Sequence, residues 1–419
     1  MDLYPYQREG VDFLKSRKTA LLADEMRLGK TVQAITAAAE IGALRIGVVC
    51  PASVRTVWKR EFERAWPEWA VIRADIFVES YDKVTRGAFD YIQNGGFDAL
   101  ILDEAHYLKS RTAKRTRKIL GKGGLAERAD RVWCLTGTPM PNHPGELYPM
   151  IAALFPDVLD INGRRADYWR FVSRYCSGRD NGFGFQILGG RNLDDLKTRL
   201  QPHFLRRRQA DVWADLPPMR YETVALEAKN VPKPADEVAA EIMAAIEQGK
   251  EPPVEHVATY RRLIGEAKVQ PIIDLVCEEL DSGLEKIVIF AHHASVIDAL
   301  FSAFATQTGH HADKVYGSTP QDKRAYSVDR FNNLNDGPHV FIGQLQAAGT
   351  GIALHAANDI LFAEYSWVPA ENQQAAMRCQ HPEKKRSTFV RFVSLAGSID
   401  EAITEAVRRK TATIGQVFA

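Results

Sequence analysis

The stretch LLADEMRLGKT, residues 21–31, decides the fold: an apolar strand runs into a short loop, and Gly29-Lys30-Thr31 then opens a helix. A helix N-terminus offers free backbone N–H groups to phosphate oxygens, a lysine ammonium reaches the outer phosphates, and a threonine hydroxyl can hold Mg²⁺. The pattern therefore predicts a nucleotide phosphate site formed by Leu28, Gly29, Lys30 and Thr31, with Thr31 as a metal ligand.

The same stretch departs from the strict GxxxxGKT pattern, because Asp24 stands where the first glycine would be. A capped helix following a strand, without any nucleotide, is therefore the alternative interpretation of this segment.

Two further strand ends carry polar residues. The apolar run 99–102 ends in Asp103-Glu104-Ala105-His106, and the run at 132–135 continues into LTGTP at 135–139. Asp103 is placed to complete an Mg²⁺ site, and Glu104 to orient and deprotonate an attacking water. We expect the hydroxyls of LTGTP to hydrogen-bond the acidic loop. A solvated acidic strand end is the alternative.

The chain alternates short apolar runs with longer amphipathic ones, which is typical of a doubly wound α/β fold with parallel strands. We predict a first α/β lobe over 1–144, an α-helical insert over 145–216, a connector over 217–266 and a second α/β lobe over 267–419. The predicted strands are 19–23, 45–50, 71–78, 99–102 and 132–135 in the first lobe, and 286–290, 340–342, 360–363 and 388–393 in the second.

Composition bounds the remaining possibilities. The 419 residues are too many for one core, and the formal net charge of +1 means that any surface for nucleic acid must be local. The five cysteines lack metal-ligand spacing, so we expect reduced thiols. The sequence has no apolar run of membrane-spanning length and its start does not resemble a signal peptide, so we expect no membrane partner. We also expect a monomer. We expect it to be cytoplasmic and of bacterial or viral origin, or nuclear if eukaryotic.

The GKT loop, the DEAH segment and LTGTP, in this order, resemble the motifs of helicase superfamily two. Residues 4–7 look like that family's adenine-reading segment, which ends in Gln7, and 48–67 and 78–84 are similar to its DNA-facing motifs. LRRRQADVWADLPP at 205–218 resembles the SWI/SNF-type double-stranded-DNA translocases.

The second half continues the resemblance, with LEKIVIFAHH at 284–293, VYGST at 315–319, the Gly349-Thr350-Gly351 turn and LFAEYSWVP at 361–369. The AHH and FAE segments look most like the annealing-helicase subgroup. The resemblance implies two RecA-like lobes, use of ATP and Mg²⁺, and double-stranded or branched DNA as partner. It also implies nucleotide contacts from Gln7, Gly349 and Gly351, and from Arg378 in the second lobe.

Two positions depart from this family. Arg27 stands where the family has glycine, and we expect arginine to be accommodated there only with an ordinary backbone conformation. Arg378 matches the first of two arginines on one helix, whereas His381 occupies the second position, which the resemblance assigns as the arginine finger. Three interpretations follow: a working DNA motor, a nucleotide- and DNA-binding remnant with little hydrolysis, or another class such as an RNA helicase or a signalling ATPase.

A basic stretch, KSRTAKRTRK at 109–118, follows the acidic loop directly, and 206–208 is a second arginine cluster. Beside the motifs above we expect at least one of the two clusters to contact DNA phosphates, although a solvated helix face is the alternative for each. The histidine pairs His292-His293 and His310-His311 have no acidic or cysteine residues at metal-ligand spacing, so we expect no metal site besides that for Mg²⁺. The predicted DNA-binding residues are Lys109, Arg111, Lys114, Arg115 and Arg117.

Overall fold

The chain divides into two compact units, Met1–Ala214 and Asp215–Val417, each with its own parallel β-sheet. The structure is a computed structural model. It describes residues 3–66, 74–90, 96–137, 139–140, 143–161, 163–180, 185–213, 217, 219–233, 239–240, 242, 254–334, 337–345, 352–366, 369–381, 384–405 and 407.

The sheet of the first unit has six strands, all parallel, in the order β10-β1-β5-β4-β2-β3. Its central strands are continuous apolar runs because helices cover both faces, as the first four residues of β4, all buried, illustrate. The strands are β1 Thr19–Leu22, β2 Arg45–Cys50, β3 Asp75–Ser80, β4 Ala99–Asp103, β5 Val132–Leu135 and β10 Phe204–Leu205.

The helices of this unit follow the strands and pack on the sheet. Helix α2 begins after Gly29, and every residue from Val32 to Ala39 is buried, so it is enclosed by its neighbours on nearly all sides. The helices around this sheet are α1 Pro5–Lys15, α2 Lys30–Glu40, α3 Arg55–Ala65, α4 Tyr81–Thr85 and α5 Lys114–Leu120, with short 3-10 turns at Ala52–Val54, Ala105–Leu108 and Ala126–Arg128.

The predicted helical insert contains helices α6 Tyr148–Leu154, α7 Tyr168–Tyr175, α8 Leu193–Leu200 and α9 Gln209–Val212, and 3-10 turns at Pro144–Leu147, Pro156–Leu159 and Gln201–His203. It also contains two small antiparallel hairpins, formed by β6 Asp160–Ile161 with β7 Arg164–Arg165 and by β8 Cys176–Asp180 with β9 Phe185–Gly190. The insert then returns to the first sheet, where β10 pairs with β1.

The second unit repeats the architecture with six parallel strands in the order β11-β16-β15-β12-β14-β13. The two parallel sheets confirm the predicted α/β fold class. The strands are β11 Met219–Leu226, β12 Ile287–Ala291, β13 Ala312–Val315, β14 Val340–Gln344, β15 Asp359–Phe362 and β16 Thr388–Leu395. The helices are Val254–Ala267, Val269–Asp281, Ala294–Gln307, Gln321–Asn333 and Pro369–Ala376.

The segment 217–266, predicted to be a connector, is in large part built into the second unit. Strand β11 pairs with β16 along its whole length, from Met219 opposite Thr388 to Leu226 opposite Leu395. Tyr260 and Ile264 of the following helix are buried in the core of the unit. The strand escaped prediction because it lies at the sheet edge, where most of its side chains are exposed and polar residues are tolerated.

Within the described parts of the chain, no helix has the length and apolar character needed to cross a bilayer. The same residues hold no cluster of three or more His, Cys, Asp or Glu side chains suited to a metal ion. The five cysteines are free thiols, and all but Cys277 are buried.

Candidate functional site

The loop between β1 and α2, residues 23–29, lies at the carboxyl edge of the first sheet, as predicted for a phosphate loop. Gly29 has a φ of 75°, in the left-handed region, and a Cβ built there would lie 2.3 Å from Nε2 of Gln7. The positive φ therefore favours glycine at this position, and a larger residue would also displace the end of the Gln7 side chain.

Lys30 turns back under the loop. Its Nζ donates hydrogen bonds to the carbonyl oxygens of Asp24, at 2.7 Å, and Glu25, at 3.1 Å. Burial lowers the pKa of the Lys30 ammonium, and the carboxylates of Glu104, Asp24 and Asp103 act in the opposite direction. The cation is thus placed among acidic side chains at the edge of the sheet.

Gln7 joins helix α1 to the phosphate loop. Its Nε2 donates to the carbonyl oxygen of Leu28 at 3.4 Å, and its Oε1 accepts from the backbone N–H of Tyr4 at 3.1 Å. The rings of Tyr4 and Tyr6 are stacked beside it, with centroids 5.8 Å apart. Gln7 is therefore held next to the loop, while its role in adenine recognition stays a prediction.

Asp103, at the end of β4, is held on three sides. Its Oδ2 accepts a hydrogen bond of 2.7 Å from Nε1 of Trp58, and its Oδ1 accepts one of 3.0 Å from the backbone N–H of Glu104. Tyr81 donates its hydroxyl to the Asp103 carbonyl at 2.9 Å. Burial and the neighbouring Glu104 raise the pKa of Asp103 to about 6, against the effects of Trp58 and Lys30.

Trp58 and Tyr81 were not among the predicted site residues. Both are almost completely buried, and the apolar pattern of helix α3 does indicate that Trp58 belongs to the core. Their polar contacts to Asp103 join residues from separate strand–helix units, so no spacing in the sequence reveals them.

Glu104 adopts a left-handed backbone conformation, with a φ of 50°. Its Oε2 lies 3.3 Å from Nδ1 of His106, and that same nitrogen lies 3.0 Å from Oγ1 of Thr136. His106 therefore links the acidic loop to the end of β5, as predicted for the LTGTP segment. The second hydroxyl of the LTGTP segment belongs to Thr138, which lies outside the described residues.

Arg27 contradicts the expectation of an ordinary backbone, because its φ is 64°. The tight turn at this point, in which the Leu28 N–H reaches the Glu25 carbonyl at 3.4 Å, places the residue in the left-handed region. For a residue with a Cβ this conformation costs about 1–2 kcal/mol.

The arginine cluster 206–208 is directed largely toward the phosphate loop. Arg207 is nearly buried and pairs with Asp24, and Arg206 lies 3.9 Å from Glu25. Only Arg208 is exposed, and it pairs with Asp211 at 2.9 Å.

The predicted DNA-binding residues of the basic stretch after the acidic loop differ in their surroundings: three contact other side chains, and two lie exposed on helix α5. Lys109 pairs with Glu146 at 3.2 Å, whereas the guanidinium groups of Arg111 and Arg115 lie over tyrosine rings, 4.6 and 5.5 Å from the centroids of Tyr168 and Tyr107. The remaining two predicted residues, Lys114 and Arg117, are exposed on helix α5.

The second unit carries the other predicted site residues. Arg378 and His381 follow the helix Pro369–Ala376; the Arg378 carbonyl accepts from the Leu354 N–H at 2.8 Å, and the His381 ring lies 5.3 Å from that of His355. Gly349 and Gly351 lie outside the described residues. Completion of the nucleotide site by this unit stays a prediction.

Two parallel RecA-like sheets, with a GKT loop beside an Asp-Glu pair on the first, define a helicase-type protein. Consistent with this, the SNF2-related domain matches residues 6–74 and 68–235, and the helicase conserved C-terminal domain matches residues 267–382. The chain belongs to the SNF2-related family.

Individual relatives agree with this assignment. The chain is 30% identical over 439 residues to a SWI/SNF-related matrix-associated actin-dependent regulator of chromatin subfamily A-like protein 1 of Bos taurus, covering 99% of this chain and 44% of the relative. It is 31% identical over 453 residues to the DNA annealing helicase and endonuclease ZRANB3 of Homo sapiens, covering 99% and 40%. The chain thus spans less than half the length of these two relatives. They lend no support to the expected cytoplasmic location, since the first is named as a regulator of chromatin.

Among solved structures, the chain is similar to the Sulfolobus solfataricus SWI2/SNF2 ATPase core in complex with dsDNA. The sequence identity is 20%, the TM-score is 0.43, and the match covers 99% of this chain and 92% of that one. The same core without DNA gives 19% identity and a TM-score of 0.44.

Proposed function

We propose that this protein is a DNA-dependent ATPase that translocates on or remodels duplex or branched DNA. The observation that carries the proposal is the meeting of Lys30, Asp103 and Glu104 at one edge of the first sheet, with the carboxylates of Asp103 and Glu104 close enough to act on the Lys30 ammonium. A cation for phosphate beside two carboxylates, one for a metal and one for a water, is the set that phosphoryl transfer requires.

The residues present fit a magnesium nucleotide. Each oxygen of the Asp103 carboxylate accepts one hydrogen bond, and a carboxylate has about four lone-pair sites, so capacity for a cation is left. Thr31 and Asp103 would hold Mg²⁺, which when bound neutralises phosphate charge. Gln7, Gly29 and Lys30 would hold the nucleotide itself.

Glu104 would position the attacking water and take its proton. The left-handed backbone at this residue turns the chain sharply after β4, and His106 lies within 3.3 Å of the carboxylate. Because His106 also contacts Thr136, a movement at the end of β5 would shift His106 and with it the position of the Glu104 carboxylate. By the family resemblance, Arg378 would supply positive charge from the second unit, and His381 occupies the position of the arginine finger.

DNA as the partner is supported by the relatives and by the surface of helix α5. One relative is named as a DNA annealing helicase, and Lys114 and Arg117 project exposed positive charge directly after the acidic loop. Contacts of this kind bind the phosphate backbone without reading sequence, so we infer little base specificity. A remnant without hydrolysis is not favoured, because the phosphate loop and the acidic pair are both in place.

The decisive experiment measures steady-state ATP turnover without DNA and with duplex, forked and single-stranded DNA of equal length. We expect duplex or forked DNA to stimulate turnover, and Lys30→Ala to abolish the stimulated rate while the protein stays folded by circular dichroism. Turnover that is indifferent to DNA, or that survives Lys30→Ala within a few-fold, would refute the proposal.

A further inference from the structure

Asp24 and Arg207 form a buried ion pair behind the phosphate loop. Asp24 is fully buried and Arg207 is only 9% exposed. One terminal nitrogen of the Arg207 guanidinium donates to Oδ2 of Asp24 at 2.6 Å, and its Nε donates to Oδ1 at 3.0 Å. The backbone N–H of Arg207 adds a third bond to Oδ1, at 3.1 Å. This is a two-pronged contact that only arginine can make.

Gln33, on helix α2, extends the pair to the far end of the loop. Its Oε1 accepts from Arg207 at 2.9 Å, while its Nε2 donates to Oδ2 of Asp24 at 3.1 Å and to the Leu28 carbonyl at 3.0 Å. Gly10 of helix α1 leaves the necessary room, because a Cβ there would lie 1.7 Å from Oε1 of Gln33 and 2.8 Å from Arg207.

The backbone around Arg207 runs beside the loop and bonds to it repeatedly. The Ala23 N–H donates to the Leu205 carbonyl at 2.7 Å, and the Glu25 N–H donates to the Arg207 carbonyl at 2.9 Å. Gln209 donates its backbone N–H to the Glu25 carboxylate and its side-chain amide to the Met26 carbonyl, both at 2.8 Å. The first half of the loop is thus hydrogen-bonded to this segment at Ala23, Glu25 and Met26.

We propose that Arg207 is a positioning residue that fixes the shape of the phosphate loop through Asp24 and Gln33. A buried ion pair contributes little net stability, because desolvation offsets the attraction, so its geometry matters more than its energy. Asp24 stands where the strict phosphate-loop pattern has glycine, and glycine could not receive the guanidinium. The inference rests on the proposed nucleotide site and names the group that shapes it.

Two variants test this role. Arg207→Lys keeps the charge but removes the two-pronged geometry, and Asp24→Asn with Arg207→Gln removes both charges together, so that no unpaired charge is left buried. The control is Glu279→Gln with Arg391→Gln, which removes the closest ion pair of an arginine in the second unit that is also 9% exposed, and leaves Asp359, which lies 3.7 Å from Arg391.

Two measurements are made on each full-length variant: amide hydrogen exchange of residues 23–29 without nucleotide, and the Kd of a fluorescent ATP analogue with Mg²⁺. We expect both test variants to accelerate exchange in the loop and to raise the Kd about tenfold, whereas the control changes neither. Loop exchange and Kd that match the wild type in the two test variants would overturn the proposal, as would equal effects in the control.

The two measurements separate this inference from the proposed function. A wild-type protein that fails to bind the analogue contradicts the nucleotide site, yet loop exchange still decides whether Arg207 holds the loop. If Arg207→Lys does not fold, the double variant decides alone.

Discussion

The indole Nε1 of Trp58 lies 2.7 Å from Oδ2 of Asp103 and donates a hydrogen bond to it. Trp58 is 1% exposed, so the bond is shielded from water and the indole has a fixed orientation. Helix α3 thereby holds in place the carboxylate that we propose as a metal ligand.

Replacing Trp58 by phenylalanine keeps an aromatic ring and removes this donor. The hydrogen bond lowers the pKa of Asp103, which burial and Glu104 raise to about 6, so its loss raises that pKa further. The metal needs the ionised carboxylate, and turnover therefore falls as pH drops through the pKa. We expect the acid limb of the pH profile of kcat/KM, which reports the protein before Mg²⁺ and nucleotide bind, to lie near pH 6 in the wild type and at higher pH in Trp58→Phe, with more Mg²⁺ needed for half-maximal rate.

Trp133→Phe is the control for that variant, because Trp133 is equally buried and its indole donates to the Arg17 carbonyl, not to Asp103. An unmoved acid limb in Trp58→Phe would mean that the indole does not tune the carboxylate.

Glu104→Gln keeps the size of the side chain and removes the proposed base. We expect turnover to fall by about 10²–10⁴-fold while the Kd for a fluorescent ATP analogue stays within a few-fold of the wild type. The measurement pairs single-turnover hydrolysis with equilibrium binding. Loss of nucleotide affinity as severe as in Lys30→Ala would assign Glu104 to binding instead.

Arg27→Gly relieves a left-handed backbone that arginine adopts at a cost of about 1–2 kcal/mol. Glycine also has greater conformational freedom in the unfolded chain, which lowers the free energy of unfolding by about 0.5–1 kcal/mol and so offsets part of the stabilisation. We expect a rise in the Tm of about 2 °C by calorimetry. Turnover is measured alongside, and a variant that is stable but inactive would show that the Arg27 side chain itself serves the phosphates.

His381→Arg restores the cation that the family resemblance places at this position. An arginine finger is worth about 10³–10⁵ in rate, so even an imperfectly placed one should raise DNA-stimulated turnover about tenfold or more. His355→Arg is the matched control, since its ring lies 5.3 Å from that of His381 and the charge added is the same. Equal effects of the two variants would point to a general gain in positive charge.

Lys114 and Arg117 are exposed basic residues on helix α5, and their joint replacement by alanine should weaken duplex binding. The slope of log Kd against log salt should flatten by roughly one for each DNA phosphate that the variant no longer neutralises. Binding is measured by fluorescence anisotropy from low to moderate salt. Arg262→Ala removes an exposed charge from the second unit as control, and an unchanged slope in the double variant would return helix α5 to an ordinary solvated surface.

The sequence predicted the strands of the first sheet well where a buried strand ends in polar residues. The runs ending at Leu22, Asp103 and Leu135 are buried strands. The polar residues that follow each of them lie close together, because the carboxyl ends of neighbouring parallel strands meet at the same edge of the sheet. The links across the site were not predictable. Trp58 reaches Asp103, and Arg207 reaches Asp24, from segments distant in the chain, and no periodicity encodes such pairings.

The conformation of Arg27 shows a different limit. Residue type alone favoured an ordinary backbone there, but the turn that joins β1 to α2 imposes a positive φ on whichever residue occupies the position. Strand β11 was not predicted for a related reason: its exposed polar residues are typical of a linker, and only its pairing with β16 identifies it as a strand.

The pairing of β11 with β16 also bears on how the protein is made. These strands begin and end the sheet of the second unit in sequence, yet they lie side by side along their whole length. On the ribosome, β11 emerges long before β16, the strand that borders it in the described sheet. The unit therefore completes its sheet only after β16 has been synthesised, and until then β11 can pair with a strand of another chain.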